Sequence, residues 1–235
     1  TKQTIRISTE GGNATKTWNR KAKRDADSEC KESTPASRKT QEAKPDLVPF
    51  SPCDGIGAVA HTLWNKLGLK LRAYTLENLE ETQRVTETRF PEDTKLGDIT
   101  QIKDTSYTEV AKAARDCKHI LLATGPPCQD NSELSGATRQ GLQCSKSRLF
   151  YKCAKAKKKL EGAAKEEGAT SHVLFESGAG TDPQDAVTMQ KEMDTRGLVL
   201  LNTEEVSRAP RNRLWWPAWS IQKRNGETRI QGKAG

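Results

Sequence analysis

The chain has 235 residues, 33% of them hydrophobic and 30% charged, with a mean hydropathy of -0.82; this predicts one core of ordinary size with partly unfolded flanks. No run of about 18 apolar residues occurs, and the first residues are Thr, Lys and Gln, so neither a membrane span nor a secretory signal is expected.

From Thr1 to Asp46 there is one Trp, no Phe or Tyr, and no apolar period, so residues 1–46 read as a basic, disordered arm. The texture changes at Leu47, where short apolar runs begin to alternate with helical patterns at the spacing of βαβ units. Leu47 to Ser51 predicts a buried strand. A helix follows over Ala58 to Leu67, with Val59, Leu63 and Leu67 on one stripe. Leu71 to Leu76 predicts a second strand, Glu80 to Arg89 a polar helix, Lys95 to Ile99 a third strand and Tyr107 to Ala114 a helix. The run His119 to Ala123 is the most strand-like in the chain, and it ends at Thr124-Gly125-Pro126-Pro127, which continues neither a strand nor a helix. Leu149, Cys153, Ala156 and Leu160 form the apolar stripe of the next helix; Lys152, Lys155, Lys157, Lys158 and Lys159 are assigned to its wet face. His172 to Phe175 is a strand, Gln184 to Thr195 a helix, and Leu198 to Leu201 and Arg213 to Trp216 are late strands. Repeated strand, loop and helix imply an α/β fold with a mostly parallel sheet and helices on both faces. The core domain is expected over residues 47–219 and a basic C-terminal tail over 220–235.

The net charge of +8 is unevenly spread. Residues 1–46 carry +4 and residues 208–235 carry +6, so the remainder sums to about -2. Basic ends suit contact with a polyanion, or simply keep the ends solvated. The six cysteines show no CxxC pair and no Cys/His spacing that would place four ligands around zinc, so no metal is expected and they read as reduced thiols of an intracellular protein.

In such sheets ligands bind outside the carboxyl ends of the strands. After the first strand comes Asp54-Gly55-Ile56-Gly57, whose two glycines let backbone N–H groups approach a ligand. Glu77, at the end of the second strand, is placed to accept two ribose hydroxyl hydrogen bonds. Asp98, at the end of the third, could accept one from an amino group such as that of adenine. Together these three describe an adenosine-type pocket. After the fourth strand, Gly125-Pro126-Pro127-Cys128-Gln129 holds a cysteine in a rigid extended loop, as a nucleophilic thiol requires. Phe175-Glu176 puts a carboxylate at another strand end. Arg211 and Arg213 are two apart, on one face if extended, where guanidinium groups could hold a phosphate or a base edge.

The order of these motifs resembles that of the DNA cytosine-5 methyltransferases. Asp54-Gly55-Ile56-Gly57 resembles the first motif, which binds S-adenosylmethionine, while Glu77 and Asp98, within Gly97-Asp98-Ile99-Thr100, resemble the ribose and adenine contacts. Pro126-Pro127-Cys128-Gln129 resembles the nucleophile loop, which Ser132, Gly136, Gly141-Leu142 and Arg148-Leu149-Phe150 continue in a manner closer to DNA enzymes than to the transfer-RNA branch. Phe175-Glu176 resembles the Glu-Asn-Val motif, and Arg211-x-Arg213-Leu214-Trp215 the Arg-x-Arg motif.

The resemblance implies a Rossmann-like class I methyltransferase with a seven-stranded type of sheet and S-adenosylmethionine as cofactor. It implies Asp54, Gly55, Ile56, Gly57, Glu77, Asp98, Ile99 and Pro126 at the cofactor, with Cys128, Glu176, Arg211 and Arg213 at a cytosine flipped from DNA. RNA is the less expected substrate. The nucleus of a eukaryote or the cytoplasm of a prokaryote is the expected location.

Three departures are visible. Cys53 stands where an aromatic residue is usual, Ser177-Gly178 replaces Asn-Val, and the sequence stops 16 residues after Trp219, before the target-recognition region and two further motifs. A second chain supplying recognition is therefore expected, or, as the alternative, a catalytically inactive methyltransferase-like module for binding or assembly.

Overall fold

The computed structural model describes residues 44–128, 141–144, 147–202, 212–224 and 227–231, with the side chains of residue 202 and of residues 220–231 left aside. The expected basic arm lies almost wholly outside this set.

The central strand β1 (Val48–Pro52) is buried over all five residues. It has to be, because β2 (Tyr74–Leu76) and β4 (His119–Thr124) flank it in parallel and helices cover the sheet. The full order is β3-β2-β1-β4-β5-β7-β6, a seven-stranded Rossmann-like sheet. β3 is Thr94–Lys95, β5 is Thr170–Gly178, β6 is Val199–Asn202 and β7 is Asn212–Pro217. All pairs from β3 to β5 are parallel, whereas β7 runs antiparallel to both β5 and β6. Right-handed crossovers from β1 outward to β3 and back to β4 put the intervening helices on opposite faces. Residues 220–231, expected only as a tail, contain the hairpin β8 (Ser220–Arg224) and β9 (Glu227–Gln231).

Helix α1 (Ala58–His61) continues as a π-helical turn over Thr62–Lys66. The wider turn rotates the following residue off the apolar stripe. Leu63 is buried as expected, but Leu67 is 63% exposed. Helix α2 (Glu80–Arg89) has the expected bounds, with Glu80 and Glu81 at its positive end and Arg89 at its negative end.

The third strand is much shorter than the expected Lys95 to Ile99. Lys95 is its last residue, and the chain turns away at Gly97, which has φ 76. The polar Gly97-Asp98 pair cannot extend a strand against β2, so Asp98 lies in the loop beyond it.

Helices α3 (Asp104–Ala113), α4 (Leu149–Glu166) and α5 (Pro183–Met193) pack in sequence, α4 against both neighbours. Asp182 caps α5 by accepting a hydrogen bond from the Gln184 N–H at 2.8 Å, and Pro183 occupies the first turn. Phe150, Cys153, Ala156 and Leu160 of α4 are at most 1% exposed. Lys157 was assigned to the wet face but is buried at 4%, because it reaches Glu161 at 2.9 Å and the C-terminus of α5 at Asp194. Lys158 pairs with Glu192 at 2.9 Å and Lys159 with Asp104. The lysine run thus fastens α4 to α3 and α5, and only part of it faces water. An aromatic chain of Phe150, Phe175 and Trp216, with centroids 5.4 and 5.0 Å apart, packs α4 onto β5 and β7. Among the described residues no helix is long and apolar enough to cross a membrane.

Candidate active site

The loops at the carboxyl ends of β1, β2, β3 and β4 surround a cavity of about 430 Å³. Cys53, Leu76, Glu77, Asn78, Leu79, Asp98, Ile99, Gly125, Pro127 and Leu149 line it. Two carboxylates among apolar walls suit a ligand with a flat apolar ring and hydroxyl or amino edges. Of the residues expected at a cofactor, Glu77, Asp98 and Ile99 lie in this wall, and Gly55 touches it through Glu77.

The β1–α1 turn is built around positive φ angles at Cys53 (55), Gly55 (60) and Gly57 (81). Gly57 is required twice over, since a β-carbon there would stand 2.5 Å from the Phe90 ring, which follows α2. The Gly55 N–H donates to Glu77 Oε2 at 2.9 Å, while the N–H groups of Asn78 and Leu79 donate to Glu77 Oε1 at 2.8 and 3.1 Å. Glu77 therefore ties the first turn to the second and is held rigidly, with its free lone pairs left for a ligand. Asp98 accepts from the Thr100 N–H at 2.8 Å through Oδ1. Ile56, placed in the same motif, is 50% exposed at the rim and is not in the cavity wall.

Asp54 is different. Among the described residues both carboxylate oxygens are buried without a hydrogen-bond partner. Burial, reinforced by the charge of Asp93 and also of Glu77, and opposed by Lys95, pushes its carboxyl up from 3.8 to about 7.

Beside this cavity sits a second group of side chains. Pro126 is buried, Pro127 lines the cavity, and Cys128 follows them as the last described residue of the loop. A β-carbon built on Gly178 would be 3.4 Å from Cys128 Sγ, so the thiol faces the end of β5. A β-carbon on Gly125 would be only 2.7 Å from Glu176 Oε2. Glu176 Oε1 in turn lies 2.6 Å from Arg213 Nε on β7. Cys128, Glu176 and Arg213, chosen from separate parts of the sequence, thus meet at one place. Glu176 lies within β5, two residues before its end, and not at the terminus as expected. Arg211, Gln129, Ser132 and Gly136 lie outside the described residues.

Gly125 is the hinge of the arrangement and was not singled out by sequence reasoning. It lines the cavity on one side and meets Glu176 on the other. The signal was present, since a glycine between a strand and two prolines marks a close approach. Its partner, however, is 51 residues away, and only the sheet order β4-β5 reveals it. Ser177 and Gly178, noted as departures, close β5 opposite Leu214 and Arg213 of β7. Thr181 Oγ1 donates to the Gly178 carbonyl at 2.7 Å and lies 3.1 Å from Ser177 Oγ.

Residues 50–164 match the family model described as C-5 cytosine-specific DNA methylase. A search of curated proteins found no match. Among solved structures, the Dnmt2 methyltransferase of S. pombe aligns with a TM-score of 0.50 at 14% identity, over 75% of this chain and 51% of that one. The chain therefore spans about half the length of that protein. The CMeT domain of the citrinin polyketide synthase aligns with a TM-score of 0.40 at 9% identity, over 73% and 46% of the two chains. NSun6 from Pyrococcus horikoshii aligns with a TM-score of 0.38 at 8% identity, over 74% and 47%. Such likenesses concern the fold alone.

Proposed function

We propose that the chain, whose residues 50–164 match the C-5 cytosine-specific DNA methylase model, transfers a methyl group from S-adenosylmethionine to C5 of a cytosine flipped out of DNA. The observation that carries this reading is the position of Gly125, which joins the carboxylate-bearing cavity to the cluster of Cys128, Glu176 and Arg213.

The cavity residues fit an adenosyl cofactor in chemistry: Glu77 accepts from ribose hydroxyls, Asp98 from the adenine amino group, and Leu76, Ile99 and Leu149 cover the ring. When bound, S-adenosylmethionine supplies an electrophilic methyl group. This chain's residues make C5 able to take it. Cys128 adds as thiolate to C6, while the Glu176 carboxylate hydrogen-bonds N3 and favours the ring protonated there, so electron density rises at C5 instead of remaining in the aromatic ring. Arg213 holds the Glu176 carboxylate in place and offers its remaining N–H groups to the base or its phosphate. A base then removes the C5 proton, and Cys128 leaves C6 as thiolate by elimination, which restores the ring. Because C6 is unreachable inside a duplex, the base must leave the stack.

The basic ends of the sequence support a polyanionic substrate, and Arg211, by its spacing from Arg213, joins in holding it. A second chain that supplies target recognition belongs to the same proposal.

The test is covalent trapping on duplex DNA containing 5-fluorocytosine in the presence of S-adenosylmethionine. A denaturation-resistant complex that disappears in Cys128→Ala is expected. A folded protein that binds the cofactor yet forms no adduct would instead support a methyltransferase-like module for binding or assembly.

A further inference from the structure

Two of the chain's three histidines meet at the end of the sheet away from the cavity. His119 is the first residue of β4, and His172 lies near the start of β5. The register pairs His119 with Thr170 and Leu121 with His172, so the two histidines are diagonal neighbours on one face of adjacent parallel strands. His172 Nε2 lies 3.3 Å from His119 Nδ1, and the ring centroids are 5.5 Å apart. His119 is exposed and His172 half-buried, which leaves one side of the pair open to water. Burial, with the neighbouring His119, holds the His172 imidazole below its ordinary 6.5, so at neutral pH the ring is uncharged and has a lone pair to give.

We propose that His119 and His172 form a binding site for one divalent transition-metal ion of the copper, nickel and zinc class, with water in the remaining coordination positions. Nitrogen ligands stand about 2.0–2.1 Å from a tetrahedral zinc ion, so two of them are about 3.3 Å from each other. That is the separation between Nδ1 and Nε2 here. The ion replaces the hydrogen bond between the rings and lies off the line joining them, which the exposed His119 ring meets by a small turn. Imidazole nitrogens suit copper, nickel and zinc, whereas magnesium and calcium require oxygen.

Among the described residues no group of three or more His, Cys, Asp or Glu side chains could hold a metal ion, so the site is a two-point clamp and not a closed structural centre. Cys117 is no third ligand, since its thiol faces the carbonyls of Ala114 and His119 at 3.8 and 3.4 Å. The cysteine and histidine spacing of the sequence did not reveal the pair, because its members are 53 residues apart and only the pairing of β4 with β5 joins them. A bound ion links the starts of the two strands whose other ends lead to Cys128 and Glu176, and it stabilises the folded chain because the unfolded chain lacks the site.

The test titrates the full chain, without a polyhistidine tag and kept reduced, with nickel chloride, followed by calorimetry and by the imidazole proton resonances. Broadening of the His119 and His172 signals is expected, with His61 unaffected. His119→Ala and His172→Ala should each weaken binding at least about tenfold, and His61→Ala should leave it unchanged. Circular dichroism establishes that each variant is folded, and the wild-type resonances stand without them. The absorption spectrum should lack the intense sulfur-to-nickel band that a thiolate ligand gives. No binding at millimolar nickel, binding unchanged in both His119→Ala and His172→Ala, a sulfur band, or broadening of His61 alone would overturn the proposal.

Discussion

Arg213 and Glu176 are paired at 2.6 Å, nitrogen to oxygen, on neighbouring antiparallel strands. In the β5–β7 register Arg213 lies opposite Gly178, and Glu176 lies opposite Trp215. The two are diagonal neighbours on one face, within reach because an arginine is long. Both side chains are only about one-fifth exposed, so the pair is shielded more than a surface ion pair. Arg213→Ala should cost about 1–3 kcal/mol in urea unfolding and slow adduct formation with fluorocytosine DNA by at least about tenfold, which is about 1.4 kcal/mol. Arg213→Lys should recover part of the stability and less of the rate, since lysine lacks the planar fork. Equal adduct rates in all three proteins would contradict a positioning role.

Gly125→Ala tests the contact between the cavity and the cluster. The added methyl group would stand 2.7 Å from Glu176 Oε2, too close to be accepted without moving the carboxylate from Arg213. Adduct formation should fall at least about tenfold, with stability changed by no more than about 1–3 kcal/mol. A fully active variant would mean that Glu176 does not need this position.

The two glycines of the first turn should behave differently. Gly57→Ala introduces an atom 2.5 Å from the Phe90 ring at φ 81, whereas Gly55→Ala at φ 60 meets nothing within 4 Å. Left-handed backbone costs a non-glycine residue about 1–2 kcal/mol, and overpacking adds about 1–3. Guanidinium unfolding should therefore show Gly57→Ala as clearly the less stable protein. Equal losses would mean that Phe90 moves aside freely.

Asp54 predicts a pH dependence. Its folded-state value, about 7, lies above the ordinary 3.8, so the folded protein binds the extra proton. Stability from this group is complete below about pH 4, falls as pH rises towards 7 and is flat above, a loss of at most about 4 kcal/mol. Asp54→Asn should be close to wild type at pH 4 and more stable at pH 8 in thermal melts. A variant less stable than wild type at pH 8 would show that the carboxylate has a favourable partner.

Much of this architecture was legible in the sequence. The strand-like runs, the bounds of α2 and the order of Gly-x-Gly, Glu77, Asp98, Cys128, Glu176 and Arg213 follow from local pattern, because these residues lie at or near the strand ends along one edge of the sheet, where ligands of such folds gather. Lys157 was misassigned because a helical wheel cannot show that α5 ends beside α4. Leu67 was misassigned because the π-helical turn breaks the 3.6-residue period, and nothing in the local composition marks such a turn. The third strand was overextended because Leu96 and Ile99 are apolar, although Gly97-Asp98 between them turns the chain. The close approaches of Gly125 to Glu176 and of Gly178 to Cys128 join residues far apart in the chain, and only the fold brings them together.

The most direct test of the account is calorimetric titration of the protein with S-adenosylmethionine. The account predicts micromolar binding, weakened at least about tenfold, or 1.4 kcal/mol, by Asp98→Asn. That variant keeps an oxygen for the Thr100 N–H but presents its amide NH2, a donor, to the adenine amino group, where the carboxylate oxygen would accept. No heat from a folded sample, or equal affinity in both proteins, would contradict the placement of the cofactor between Glu77, Asp98 and Gly125.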